Sequence, residues 1–165
     1  MAHILIAYAS KKGSTTEIAQ AVGKEIRAAG HLVDVTEMKS VSSLDGYNAV
    51  VIGAPFYMGT ITDMGKFTGR YRDALAKVPV AAFAVGVAPL GKDPAGKDNA
   101  MKKLQKTLEP LAPVAMAIFT GKIDPSQLSW FQKWITNKVK SPVGDFRDWT
   151  AIEAWTRELP AKLGV

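Results

Sequence analysis

The chain has 165 residues, which is enough for one domain with a single hydrophobic core. It contains no cysteine, so cysteine nucleophiles, thiol redox chemistry and iron–sulfur clusters are excluded, and with only His3 and His31 as imidazoles we expect no metal site. Basic residues exceed acidic ones by six, which favours an anionic partner, although a solvated basic surface explains the same charge.

The first predicted strand, Ile4 to Tyr8, leads into a polar turn of sequence Ser10-Lys11-Lys12-Gly13-Ser14-Thr15-Thr16, and a helical pattern begins at Glu17. The first N–H groups of a helix lack partners within the helix, and a glycine lets a ligand approach the backbone. Hydroxyl groups beside these N–H groups predict a phosphate-binding site. A turn capped by Ser14 or Thr15, without a ligand, is the alternative.

Three familiar nucleotide motifs do not fit this turn. The lysines precede the glycine, which excludes a P-loop, and a single glycine excludes the dinucleotide fingerprint. The first strand is not followed by the acidic residues of a phospho-acceptor protein. A hydroxyl-lined loop for a phosphate monoester remains.

The rest of the chain alternates strands with helices. Further strands are predicted at 32–35, 49–52, 80–87 and 114–119. Helices are predicted at 17–29, 63–77 and 98–109, and a last helix has Ile152, Trp155 and Leu159 on its inner face. Asp148 or Thr150 can cap the last helix, and Thr150 with Glu153 fits a capping box. This alternation predicts an α/β fold: one domain with a doubly wound, five-stranded parallel sheet and helices on both faces.

Ligands of doubly wound sheets bind beyond the carboxyl ends of the strands. The loops after the first, third and fourth strands are therefore the predicted binding loops: Ser10 to Thr15, Ala54 to Gly59, and Gly86 to Gly91. All three are rich in glycine, proline and hydroxyl or aromatic residues. Because all three loops share this composition, a bound ligand is favoured over a helix cap without a ligand.

Three stretches also carry a family resemblance: Ala7 to Thr15, Val51 to Gly59, and Gly144 to Trp149 with the insert before it. With them the chain resembles the flavodoxin-like superfamily over its whole length. The late stretch is similar to the group that contains menaquinone-dependent protoporphyrinogen oxidase. The resemblance implies FMN as the cofactor.

A bound flavin would use each loop differently. The resemblance implies that the phosphate is bound by Ser10, Lys11, Lys12, Gly13, Ser14 and Thr15. Contact with the flavin ring is implied for Ala54, Pro55, Phe56, Tyr57, Met58 and Gly59, although loop packing is the alternative for Phe56 and Tyr57. Backbone groups for the pyrimidine edge are implied for Val87, Ala88, Pro89, Leu90 and Gly91. Lys11, Lys12 and Arg147 are candidates to contact phosphate or a substrate carboxylate, with solvation as the alternative.

The chain departs from electron-transfer flavodoxins, which are typically acidic and carry an aromatic residue on the third loop. A basic environment stabilises the anionic reduced flavin, so we expect a less reducing flavin suited to two-electron chemistry. No acid–base pair is predicted, because the flavin carries the chemistry. The leading interpretation is an oxidoreductase that moves electrons from a porphyrinogen-like substrate to a quinone. An electron carrier between protein partners and a binding module without FMN are the alternatives.

The insert, Lys122 to Asp148, contains a predicted amphipathic helix at 128–140 whose apolar face is formed by Trp130, Phe131, Trp134 and Ile135. This composition suits an anionic membrane surface, a lid for a flat acidic substrate, or packing against the core or the second subunit of a homodimer. No apolar run can span a bilayer and Met1 leads directly into a strand, so we expect a cytoplasmic protein, with this helix as a candidate contact to the inner face of the membrane. No basic–aromatic pattern supports a nucleic-acid partner.

Overall fold

The computed structural model describes residues 1–11, 13–86, 94–123 and 144–165. The central sheet contains five parallel strands: β1 (His3–Tyr8), β2 (Leu32–Glu37), β3 (Ala49–Tyr57), β5 (Val80–Gly86) and β6 (Ala115–Thr120). A two-residue strand, β4 (Thr60–Ile61), pairs antiparallel with the end of β3. The strand order is β2-β1-β3-β5-β6, so the order reverses between β1 and β3, where doubly wound folds bind their ligands.

Helices connect the strands and cover both faces of the sheet. They are α1 (Ser14–Ala28), α2 (Met64–Arg70), α3 (Arg72–Leu75), α4 (Pro94–Leu108) and α5 (Trp149–Leu163), with a 3-10 turn at Met38–Ser40. Alternate strand residues serve two cores. Ile4 and Ile6 pack with α1 and α5, whereas Leu5 and Ala7 face the core of α2, α3 and α4. The predicted doubly wound α/β fold is confirmed.

Several predicted boundaries are wrong. The first helix begins at Ser14 rather than Glu17, because Gly13 adopts a left-handed φ of 89° and turns the chain directly into the helix. β3 continues to Tyr57, so the first part of the predicted loop after Ile52 is strand. The predicted helix at 63–77 is divided at Tyr71 into α2 and α3, and α4 starts four residues earlier than predicted.

The last helix is capped by Asp148, whose Oδ1 accepts a hydrogen bond of 3.0 Å from the N–H of Ala151. Thr150 lies inside the helix, so it cannot be the cap, and the predicted capping box with Glu153 is wrong.

The two ends of the insert pair with each other. β7 (Lys122–Ile123) runs antiparallel to β8 (Gly144–Asp145) and forms a short stem at its base. The predicted helix at 128–140, with Trp130, Phe131, Trp134 and Ile135, lies outside the described residues. No helix within the described ranges is long and apolar enough to cross a bilayer.

Candidate functional site

The N-terminus of α1 lies at the carboxyl end of β1 and carries no side-chain cap. The first backbone hydrogen bond runs from the N–H of Glu17 to the carbonyl of Gly13 at 3.1 Å, so the N–H groups of residues 14–16 have no partner within the helix. A Cβ built on Gly13 would meet none of the residues that the structure describes within 4 Å. The predicted cap by Ser14 or Thr15 is therefore wrong, whereas binding of a ligand at this turn stays a prediction.

The hydroxyls of this loop play different parts. The Ser10 Oγ accepts a hydrogen bond of 3.0 Å from the N–H of Gly13, a bond that uses the oxygen of this hydroxyl and not its proton. The Ser14 Oγ donates to the carbonyl of Lys122 and accepts from its N–H at 2.8 Å, so this hydroxyl holds β7 in place. Thr15 is 2% exposed, so its side chain is buried beneath the turn.

The second predicted loop is the end of a β-hairpin. Phe56 pairs with Ile61 and Tyr57 pairs with Thr60, so β3 and β4 enclose a two-residue turn. Met58 and Gly59 form this turn with positive φ values of 47° and 76°, which matches the twist of the paired strands. Ala54 is buried in the sheet, Pro55 and Phe56 are half-buried, and the hairpin tip from Tyr57 to Gly59 is exposed.

The first two predicted loops meet through one contact. The Nζ of Lys11 lies 5.3 Å from the centroid of the Tyr57 ring, a cation–π geometry. The structure thus brings the uncapped helix end and the hairpin tip together, as the sequence predicts. Lys12 and the third loop, Val87 to Gly91, lie outside the described residues, so their part in the site stays a prediction.

Arg147 is held by carboxylates. Its guanidinium forms ion pairs with Glu17, in the first turn of α1, and with Asp145, 2.5 Å from Nη2 to Oδ2. It also lies 4.8 Å from the centroid of the Trp149 ring. The side chain is 8% exposed, and burial lowers its pKa from the ordinary value. These contacts join the insert stem to α1, and the predicted contact of Arg147 with a phosphate or a substrate carboxylate stays a prediction.

The stem is also fixed through its backbone. The N–H of Gly121 donates to the carbonyl of Gly86 at 2.7 Å, and the N–H of Phe146 donates to the carbonyl of Gly121 at 3.1 Å. A Cβ on Gly121 would lie 3.0 Å from the Val85 Cγ1, so any side chain here would press against Val85. The insert therefore starts and ends beside the uncapped end of α1. Sequence patterns missed this because the partners are far apart in the chain.

Comparison with solved structures shows the same fold in known flavoproteins. A flavodoxin variant from Pseudomonas aeruginosa has a TM-score of 0.58 and 21% identity, and the alignment covers 99% of each chain. A flavoprotein in complex with FMN from Lactobacillus acidophilus has a TM-score of 0.54 and 15% identity over 72% of this chain and 93% of that one. At these identities the likeness shows the fold.

Sequence comparison agrees. The protoporphyrinogen IX dehydrogenase [quinone] of Escherichia coli is 22% identical over 94% of this chain and 93% of its own length. A family model described as the flavodoxin domain matches residues 5–150. The chain belongs to the flavodoxin domain family, whose cofactor is FMN.

Proposed function

We propose that the chain is an FMN-dependent oxidoreductase that takes electrons from a reduced, porphyrinogen-like substrate and passes them to a quinone. The proposed cofactor site rests on one observation: the N-terminus of α1 has no side-chain cap and lies where the strand order reverses. The substrate and the acceptor are proposed from the similarity to the Escherichia coli dehydrogenase, which extends over nearly the whole length of both chains.

The described residues fit a phosphate monoester. The three N–H groups at residues 14–16, which have no partner within the helix, and the positive end of the helix dipole suit its charge. Ser10 and Thr15 add hydroxyl donors, and Lys11 adds a positive charge. The hairpin tip, with Tyr57 and Met58 exposed, supplies apolar surface for a flat ring.

FMN supplies the ability to accept two electrons from one molecule and to return them to another. The protein's own part is to hold the cofactor, to exclude water from it and to orient the substrate. Arg147 and Ser14 act as positioning residues, since they fix the insert stem beside the cofactor site.

An electron carrier between protein partners is the second candidate. The fold similarity to a flavodoxin along 99% of the chain favours it. The two functions differ in whether small molecules alone sustain turnover.

The test is an anaerobic assay of the FMN-loaded chain with protoporphyrinogen IX and a soluble menaquinone analogue, followed by porphyrin fluorescence. We expect porphyrin to form only when protein, FMN and quinone are all present, with the apoprotein as control. If the loaded chain gives no porphyrin, and its chemically reduced form still reduces an electron-transfer protein such as cytochrome c, the carrier function replaces the enzyme function.

A further inference from the structure

A cleft of about 410 Å³ opens between the carboxyl ends of β1 and β2 and the side of α2. The volume is in the usual range of a small-molecule site. Ser10 lines this cleft and also belongs to the turn that is predicted to bind the phosphate, so the cleft lies next to the proposed cofactor site.

The cleft has an apolar floor. Met38 is 6% exposed and Phe67 is 4% exposed, and Ala9 lies beside them. These side chains are fixed in the core of the α2 side of the sheet. A flat hydrocarbon body would lose its contact with water here without requiring the protein to rearrange.

The rim is charged. Lys66 and Arg70 are four residues apart on α2 and therefore project from the same side of the helix. Within the described ranges neither forms an ion pair with a carboxylate, whereas Lys39 on the opposite rim is paired with Glu37 at 2.6 Å. Arg70 lies 5.3 Å from the centroid of the Tyr71 ring. Two cations are thus left for a ligand.

One carboxylate opposes them. Asp63 lies on the same rim, one turn before Lys66, and has no ion pair with another described residue. Two available cations against one available carboxylate leave the cleft positive. The helices on this face of the sheet carry seven basic and two acidic residues, which adds to the positive potential.

We infer that this cleft binds the carboxylate side chains of a flat, apolar, dicarboxylic substrate, with Lys66 and Arg70 as the residues that select for the acid. The inference rests on the proposed function, because the porphyrinogen class is the substrate proposed above. The apolar floor holds the ring edge, and the two cations hold the carboxylates through charge-assisted hydrogen bonds.

The probe is protoporphyrin IX, compared with its dimethyl ester, which has the same ring and no charge. Binding is measured by porphyrin fluorescence in the presence of saturating FMN, so that the flavin site is filled. In the wild type we expect the diacid to bind about tenfold more tightly than the ester, since hydrogen bonds to charged groups are strong.

The variant is the double reversal Lys66→Glu with Arg70→Glu, and the matched control is Lys102→Glu with Lys106→Glu on exposed positions of α4 in the same layer. We expect the double reversal to lose about tenfold in diacid affinity, with ester affinity unchanged, and the control to lose less than about twofold. If the double reversal fails to fold, the pair Lys66→Gln with Arg70→Gln takes its place, because it adds no repulsion with Asp63. We expect this pair to lose diacid affinity as well.

Equal binding of diacid and ester by the wild type, or an unchanged diacid affinity in both cleft variants, would overturn the inference. A wild type that forms porphyrin with quinone but binds the diacid and the ester equally would refute the cleft and keep the proposed reaction. Discrimination between the probes in a chain that does not turn over with quinone would refute the proposed reaction and keep the cleft.

Discussion

At Gly53 the backbone of β3 leaves room for a side chain of the neighbouring strand. A Cβ built on Gly53 would lie 2.2 Å from the Cζ of Phe83, its partner in the register of β3 and β5. A glycine inside a strand often marks the close approach of another group, and at Gly53 that group is this phenyl ring. The sequence pattern could show that space was needed, and only the strand pairing shows what fills it.

Replacement of Gly53 by alanine should therefore destabilise the fold. We expect a loss of about 1–3 kcal/mol in the free energy of unfolding, because the ring must move in a closely packed core. The matched control is Gly65→Ala in α2, where the new Cβ meets only the Thr107 Cγ2 at 3.9 Å. That variant should be as stable as the wild type or slightly more stable. Equal denaturation midpoints for the two variants would contradict the packing argument.

A second polar cluster lies at the amino-terminal edge of the sheet. The Tyr47 hydroxyl donates to the Asp34 Oδ2 at 2.7 Å, and the His3 Nε2 lies 2.9 Å from the same oxygen. Burial, with the hydrogen bond to Asp34, raises the pKa of Tyr47 to about 12.

Because the folded pKa of Tyr47 is above that of the unfolded chain, its contribution to stability is complete below about pH 10 and is lost between pH 10 and pH 12. Between these two values we expect the free energy of unfolding to fall more steeply in the wild type than in Tyr47→Phe. Urea unfolding of both proteins through this range measures the difference. Parallel plots of the free energy of unfolding against pH would show that the pKa of the Tyr47 phenol does not change on folding.

Among the elements, the two helix N-termini show what local sequence can and cannot predict. Asp148 was identifiable as a cap for α5, and it does accept the N–H of Ala151. Thr150 and Glu153 matched a capping box but fell inside the helix, since the helix starts at Trp149. The start of α1 was displaced by three residues because the left-handed φ of Gly13 is not visible in a hydrophobic pattern.

The two cap assignments for α5 can be separated by mutation. Asp148→Ala should lower the free energy of unfolding by about 1 kcal/mol, because the N–H of Ala151 loses its partner. Thr150→Ala, at an exposed position one residue into the helix, should change it by less than about 0.5 kcal/mol. A larger loss for Thr150→Ala than for Asp148→Ala would restore the capping box.

Across the whole molecule, the alternation of apolar strands and amphipathic helices was sufficient to predict the doubly wound sheet. The contacts that shape the site were not predictable in this way. The hydrogen bonds of Ser14 with Lys122 and the ion pair of Arg147 with Glu17 join residues more than 100 positions apart. The hairpin tip was predicted as an irregular loop because the pairing of β3 with β4 depends on the chain folding back at Met58 and Gly59.

The distribution of charged residues between the two faces of the sheet is also a property of the whole molecule. α1 and α5 together carry four basic and four acidic residues, whereas α2, α3 and α4 carry seven basic and two acidic ones. Two i,i+4 ion pairs on α5 join Arg157 to Glu153 and Lys162 to Glu158. Among the helices that the structure describes, the excess of positive charge therefore lies on one face of the sheet.

This asymmetry predicts that charge changes of equal size differ in effect. Lys102→Glu with Lys106→Glu should reduce retention on a cation-exchange column more than Lys24→Glu with Lys162→Glu, since both pairs change the net charge equally but only the first lies on the basic face. Identical elution of the two double variants would show that the charge acts as an average over the surface.

The central claim is that the uncapped end of α1 binds the phosphate of FMN, and the most direct measurement compares the affinities of FMN and riboflavin by quenching of flavin fluorescence. We expect FMN to bind at least about tenfold more tightly. Thr16→Glu, which adds a carboxylate to the first turn of α1, should weaken FMN and leave riboflavin unchanged, whereas Thr150→Glu on α5 should affect neither. Equal affinities for FMN and riboflavin, or no binding of either, would contradict the account.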